Sequence, residues 1–389
     1  MHALLAVALL ASIDLASAQR ALTELEAMCA ADRGRMWGRS LCGPMVIADP
    51  NTREAVQMAD GHITETHVPE SIGIANTAVQ WDGREWTMLQ WPLPQSVVAR
   101  RVMLAHESFH RVQEKLGFPA TGPLNAHLDT AEGRTLLRLE WRALARALAT
   151  GDARAVADAL AFRAERRMLT KNAAQEERLL EMHEGLAEHT GWAMAIPVLK
   201  ERIAPLVIRL ANAEKGESFV RSFAYTSGPA WGAIAEMQKR NWTRTLEPSD
   251  DLADVASRGW FFTGERFHEY GAAAIRAEEE ARAAKKATML AEMRKRFVDD
   301  PVLTIPLQQM QLVFDPNRLQ PLEGAGTVYQ SIEISDAWGK IAVTNGGLVT
   351  SDWKKLIVPA SGEGWTLTLA PGWKLVDGPR AGDKSVDKE

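Results

Sequence analysis

Apolar residues recur every three to four positions between Ser96 and Gly117, which is the spacing of a helix that packs one face against a core. The repeating positions are Val98, Val102, Ala105, Phe109, Val112 and Leu116. Ser96 is a suitable N-cap and Gly117 a suitable stop, so both ends of the segment are marked. The pattern therefore predicts an amphipathic helix over residues 96–116.

The residues before this helix are rich in β-prone runs. One strand is predicted over 44–49, and two more over 78–81 and 85–91 are joined by the hairpin turn Asp82-Gly83. The last of these strands leads directly into the helix. It either offers an edge to an extended peptide or only covers the helix.

Helix formers dominate from Leu128 to about Arg296, and β-prone runs return after Asp299. The helical pattern predicts segments over 136–148, 156–168, 174–191, 196–212, 229–240 and 269–296, with a loop over 216–228. Later strands are predicted over 303–307, 311–314, 326–334, 340–343 and 365–369. Together these patterns predict an α+β fold.

The same patterns divide the chain into regions. They predict a signal peptide (1–18), a β-rich N-terminal part of the larger domain (19–95), a helical region (96–298), a small β domain (299–378) and a flexible tail (379–389). The signal peptide rests on a short apolar run followed by the small-x-small pattern Ala16-Ser17-Ala18. Its n-region lacks Lys or Arg, and a short buried helix is the alternative. No later segment is apolar for eighteen residues, so we expect an exported protein, periplasmic or secreted, without stable membrane insertion.

Composition narrows the classes of partner. The net charge of -5 and the pI near 6.1, with no basic cluster, argue against a nucleic-acid-binding protein. Cys29 and Cys42 lack both C-x-x-C spacing and a neighbouring histidine, which argues against a metal pair. In an oxidising compartment they form a disulfide, or else they are two buried thiols.

The predicted helix carries the run His106-Glu107-Ser108-Phe109-His110, which reads H-E-x-x-H. Residues four apart on a helix lie on one face, so both imidazoles can reach one metal ion while Glu107 stands beside them. The alternative is two ordinary histidines on a half-buried helix. A catalytic zinc takes three protein ligands, and no histidine occurs over residues 111–126, which excludes the metzincin spacing.

Candidate third ligands lie in a later segment. Glu181, Glu184 and Glu188 are spaced to share one helix face, which is either solvated or an inward-pointing acidic site. Apolar neighbours on the same side favour the inward arrangement. His183 and His189 are further candidate ligands.

The run His183-Glu184-Gly185-Leu186-Ala187 resembles the N-E-G-x-A motif of gluzincins, the thermolysin-like and aminopeptidase-like zinc peptidases. It matches at the glutamate, the glycine and the alanine and differs at the leading position. The resemblance implies that Glu184 is the third zinc ligand and that Glu188 hydrogen-bonds a zinc-binding histidine. Over residues 42–191 the chain is also similar to uncharacterised exported bacterial proteins of the peptidase-MA-like group. The separation from His110 to Glu184, 184 - 110 = 74 residues, implies that inserted helices lie between the ligands.

The expectation is a zinc metallopeptidase in which His106, His110 and Glu184 bind Zn²⁺ and Glu107 activates the zinc-bound water toward a peptide or protein substrate. Tyr225 is a candidate oxyanion donor, because gluzincins use tyrosine or histidine there; the alternative is a core tyrosine in a helix connection. One rival function is a zinc amidohydrolase acting on a non-peptide amide. Another is an exported binding or scaffold protein with a degenerate site, against which Glu107 argues, since a structural zinc needs no base.

Overall fold

A computed structural model describes residues 13–260, 270–315 and 318–389. The described residues have an α+β fold, which confirms the predicted fold class. Those up to Glu279 form one compact unit, and Glu280–Glu389 form a second. The composition change expected near Asp299 therefore lies inside the second unit.

Ten α-helices and sixteen β-strands are defined in the described residues. The helices are α1 (Leu15–Asp32), α2 (Val97–Gln113), α3 (Ala131–Thr150), α4 (Ala153–Arg167), α5 (Ala173–Leu180), α6 (Leu186–Ala195), α7 (Leu199–Ala213), α8 (Ser222–Gln238), α9 (Leu252–Ser257) and α10 (Ala272–Arg294). The strands of the first unit are β1 (Met45–Ala48), β2 (Glu54–Ala59), β3 (His62–His67), β4 (Thr77–Trp81) and β5 (Arg84–Gln90). Those of the second are β6 (Val302–Pro306), β7 (Gln311–Phe314), β8 (Leu319–Leu322), β9 (Gly326–Tyr329), β10 (Ile332–Asp336), β11 (Gly339–Val343), β12 (Gly347–Thr350), β13 (Lys355–Pro359), β14 (Trp365–Leu369), β15 (Trp373–Asp377) and β16 (Lys384–Lys388).

The first unit opens with a five-stranded sheet in the order β3-β2-β1-β5-β4. Only β1 and β5 pair in parallel; the other neighbours are antiparallel. Met45, Ile47 and Leu89 join the main core on one face, while Val46 and Met88 belong to a smaller cluster on the other. Because β5 ends at Gln90, shortly before α2 begins, the sheet leads directly to the helix that carries H-E-x-x-H.

The later helices bring a second segment against α2. A Cβ added at Gly191 of α6 would lie 2.6 Å from the Val102 carbonyl oxygen of α2, so only glycine permits this approach. The predicted helix over 174–191 is divided into α5 and α6 by a π-turn, Glu181–Gly185. The loop predicted over 216–228 is wrong from Ser222 onward, because α8 begins there and accommodates Pro229 within its length.

The second unit contains a four-stranded sheet, β14-β11-β10-β7, and a seven-stranded sheet, β15-β16-β6-β13-β12-β9-β8. Ile334 and Ile341 of the first sheet share one apolar core with Leu303, Ile305 and Leu356 of the second. The flexible tail expected over 379–389 is wrong, because β16 pairs with β15 and runs parallel to β6. A ladder is built from backbone groups, so a polar run can form a strand without an apolar pattern.

The N-terminal apolar run over 1–12 lies outside the described residues. The expected cleavage position after Ala18 lies inside α1, whose N-cap is Asp14 and in which Ala18 is fully buried. Cys29 at the end of this helix forms a disulfide with Cys42. Among the helices that the structure describes, none is long and apolar enough to cross a membrane.

Candidate metal centre

Helix α2 fixes the positions of three site residues. Its first turn is capped by the Ser96 hydroxyl, which accepts from the Ala99 amide at 3.5 Å. Phe109 is fully buried and packs on Trp37, with ring centroids 4.8 Å apart. Because Phe109 faces the core, His106 and His110 lie on the adjoining face, one helical turn apart.

Three ligand atoms converge there. His106 Nε2 lies 3.0 Å from His110 Nε2 and 3.4 Å from Glu184 Oε2, and His110 Nε2 lies 3.3 Å from the same oxygen. A tetrahedral zinc ion with bonds of about 2.0–2.1 Å holds its ligand atoms about 3.3 Å apart. The triangle of donors therefore has the size that such an ion requires, and a His₂Glu set is one of the usual catalytic zinc sets.

The Glu184 carboxylate supplies a second indication that a cation fits. Its Oε2 atom is buried and forms no hydrogen bond of proper geometry with any described residue. A buried carboxylate oxygen without a partner is costly unless something positive compensates it. The imidazole nitrogens at 3.3 and 3.4 Å point at the same space, so a metal ion there would satisfy all three atoms.

The π-turn explains why the Glu184 side chain reaches the histidines and the Glu181 side chain does not. Glu181 is fully buried and accepts two hydrogen bonds of 2.6 Å from Arg163, away from the histidines. Leu186 N donates to Glu181 O, five residues back, so the helix widens by one residue at this point. All three of Glu181, Glu184 and Glu188 are buried, as the inward-pointing alternative predicted, but Glu181 pairs with Arg163 instead of joining the other two at the histidines.

Polar groups orient both imidazoles. Glu188 Oε2 lies 2.9 Å from His106 Nδ1, as the family resemblance implied, and its other oxygen accepts from Trp192 Nε1 at 3.1 Å. Gln113 Oε1 lies 2.8 Å from His110 Nδ1. Gln113 is not among the site residues predicted from the sequence, although its position three residues after His110 places it on the same helix face.

The electrostatics of the site favour positive charge. Burial opposes protonation of His106, but the contacts with Glu184 and Glu188 outweigh burial and raise the pKa of His106 to about 9. Burial alone would raise the pKa of Glu184, but His106 and His110 hold it far below its usual range. Burial raises the pKa of Glu107 despite the two nearby histidines. The site thus stabilises a cation between carboxylates and makes Glu107 a stronger proton acceptor than an ordinary glutamate.

Tyr225 belongs to helix α8 and lies at the site. Its ring stacks on that of His106, with centroids 5.5 Å apart and planes 6° apart. Burial, together with the charge of the nearby Glu184 carboxylate, raises the pKa of Tyr225 well above its usual value. The hydroxyl therefore stays protonated beside a candidate ligand residue.

The two remaining histidine candidates differ in position. The His183 ring lies beside that of His110, with centroids 4.9 Å apart, and its Nδ1 is 3.6 Å from Glu184 Oε1. His189 is buried next to Trp242, and burial lowers its pKa to about 3. Neither belongs to the group of converging ligand atoms found among the described residues.

A cleft of about 570 Å³ opens onto the site. His106, Glu107 and Tyr225 line it at one end. Its remaining wall combines apolar residues, namely Val98, Ala99, Val102, Met103 and Trp192, with the polar residues Asn76, Ser96, Glu188 and Arg209. Since Ala99, Met103 and His106 follow helical spacing, the cleft runs along α2 toward its N-terminus.

Comparison with protein-family models, with curated proteins and with solved structures found no match to this chain.

Proposed function

We propose that this protein is a zinc-dependent metallopeptidase that is exported and acts on peptide or protein substrates. The observation that carries the proposal is the triangle of His106, His110 and Glu184 ligand atoms, with Glu107 on the cleft beside it. The resemblance to gluzincins around Glu184 supports the same reaction class. A zinc ion bound there would polarise a substrate carbonyl and lower the pKa of water.

Glu107 has the position and protonation chemistry of a general base. It is adjacent to His106 in sequence, and its carboxylate lines the cleft. Burial raises its pKa, which improves its ability to take a proton from the attacking water and release it to the leaving amine. The cleft runs for about two helical turns along α2, or about 11 Å, which is room for about three residues of an extended substrate.

Glu188 and Tyr225 assist through the ligand residues. Glu188 accepts from His106 Nδ1 and so leaves Nε2 free to bind metal. Tyr225 stacks on the His106 ring, which restricts the orientation of that imidazole. These residues orient the site, and Glu107 performs the proton transfer.

Metal analysis and cleavage assays test the proposal together. Purified protein should contain about one zinc per chain, and His110→Ala and Glu184→Ala should lose it. Glu107→Gln should keep the metal but abolish cleavage of a peptide library. Glu114→Gln is the control, because Glu114 is an exposed glutamate just after α2, and it should keep both the metal and the cleavage activity. Wild-type protein without zinc would refute the metal site. Wild-type protein with zinc that cleaves only non-peptide amides, or nothing, would refute peptidase activity.

A further inference from the structure

Gln113 is the last residue of α2 and connects that helix to the π-turn. Its side chain is buried, with the residue 1% exposed. Its Nε2 donates to the Met182 carbonyl at 3.0 Å, to the His183 carbonyl at 3.2 Å and to the Pro119 carbonyl at 3.0 Å. One side chain therefore contacts both ligand-bearing segments and the loop that follows α2.

The three carbonyls fix the orientation of the amide. A carbonyl oxygen only accepts hydrogen bonds, so the NH₂ group of Gln113 must face the carbonyls and Oε1 must face His110. Oε1 also only accepts, so His110 must carry its proton on Nδ1, at 2.8 Å from Oε1. In the neutral imidazole, Nε2 is then the nitrogen without a proton, and it lies 3.3 Å from Glu184 Oε2. The backbone of the π-turn thereby selects the tautomer of His110 that binds metal.

The same contacts stabilise the π-turn itself. A turn with i→i+5 bonding is rare and is energetically poorer than an α-helical turn, so it needs support from outside the helix. Buried carbonyls also require donors. Met182 and His183 immediately precede Glu184, so Gln113 supports the backbone from which the third ligand projects.

We propose that Gln113 is a positioning residue that couples the two ligand-bearing segments, by selecting the His110 tautomer and by holding the π-turn that presents Glu184. This inference rests on the proposed metal site. Outer hydrogen-bond partners of metal ligands typically contribute 10- to 100-fold to metal affinity. Gln113 acts on two proposed ligands, on His110 through its acceptor Oε1 and on Glu184 through the hydrogen bonds that its amide group donates to the π-turn.

Two Gln113 variants and one control, all made in the full chain, test the acceptor and donor contacts of Gln113. Gln113→Ala removes both the acceptor and the donors. Gln113→Glu keeps the acceptor for His110 but presents a carboxylate to the carbonyls. Ser108→Ala is the control, because Ser108 is equally buried on α2 and its hydroxyl donates only to Leu104 O of the same helix.

Zinc affinity is measured by competition with a chromophoric chelator, and the absorption spectrum of cobalt-loaded protein reports ligand geometry. Gln113→Ala and Gln113→Glu should each lower affinity by about 10- to 100-fold and alter the cobalt spectrum. Ser108→Ala should change neither. Wild-type affinity and spectrum in Gln113→Glu would overturn the role of the donors, and an equal loss in Ser108→Ala would overturn the specific role of Gln113.

Hydrogen exchange of metal-free protein gives a readout that does not depend on metal. Amides of residues 181–187 should exchange at least about tenfold faster in both Gln113 variants than in wild type or Ser108→Ala. Unchanged exchange would overturn the proposal. If wild-type protein binds no zinc, the proposed function fails, while faster exchange in the Gln113 variants still supports the anchoring of the π-turn.

Discussion

Arg163 of α4 holds the side of the π-turn that faces away from the histidines, and its removal should be costly. Its guanidinium donates to Glu181 through two bonds of 2.6 Å and to Glu140 at 2.8 and 3.1 Å. Arg163 is 2% exposed, and both glutamates are fully buried. Arg163→Met keeps most of the side-chain volume but leaves a buried carboxylate without its partner.

The size of the stability loss in Arg163→Met depends on which partners Glu140 and Glu181 keep. Glu140 keeps Arg166 and the indole N–H of Trp231, so it remains paired. Among the described residues, Glu181 keeps only a 3.8 Å contact with Arg167. Removing one partner of a buried ion pair typically costs about 3–5 kcal/mol. Arg163→Met should therefore lower the free energy of unfolding by that amount.

Urea unfolding of the full chain, followed by circular dichroism at 222 nm, measures this change in the helical first unit. Arg163→Met/Glu181→Met should recover at least half of the loss, because replacing a buried pair by apolar residues is often neutral. Arg84→Met is the control, since the Arg84–Asp60 pair is 48% and 70% exposed and should contribute less than about 1 kcal/mol. A loss below 1 kcal/mol in Arg163→Met, or a double variant no better than the single one, would refute the reasoning.

Three further predictions concern His106, Glu188 and the disulfide. The pKa of His106 is raised to about 9, so protonation of His106 stabilises metal-free protein fully below pH 6.5, and this stabilisation is lost as pH rises through 9. The urea midpoint should therefore be lower at pH 9.5 than at pH 6.5, and the difference should be smaller in His106→Gln. Glu188→Gln should weaken zinc binding about 10- to 100-fold in a chelator competition, and an affinity equal to wild type would show that its bond to His106 Nδ1 is dispensable. Cys42→Ser should lower the free energy of unfolding by about 2–4 kcal/mol, because it removes the disulfide with Cys29. Adding a reductant to wild-type protein should lower this free energy by the same amount. A difference between the two would indicate a role for Cys42 outside the disulfide.

The parts of the site that local pattern determines could be predicted from sequence. The apolar spacing of α2 and the position of His106 and His110 on one face follow from helical geometry alone. The prediction of Glu184 as the third ligand depends on the resemblance to the gluzincin motif, because Glu184 lies 74 residues from His110 (184 - 110 = 74) and no local sequence rule connects them. The fold class followed from the order of helical and β-prone runs.

Other features depend on contacts between distant segments. Arg163 and Gln113, which lie on other helices, form hydrogen bonds to the π-turn. The local sequence around Glu181 contains no sign of these contacts, so it predicts a continuous helix. Strand β16 forms because β6 and β15 offer backbone partners, which a polar sequence does not reveal. The sequence predicts a loop at Tyr225, whereas α8 begins at Ser222 and contains Pro229 within its length.

The contact between Gly185 and Gly228 limits how the centre can be redesigned. A Cβ on Gly228 would lie 2.4 Å from Gly185 Cα, so the π-turn and α8 touch through bare backbone. A side chain at Gly228 would push α8 away from the π-turn, whereas a Cβ at Gly185, 3.2 Å from Gly228 Cα, would need a smaller shift. Redesign of the proposed metal site would therefore have to change the histidine and glutamate side chains and leave both glycines as they are, because the π-turn and α8 share this contact.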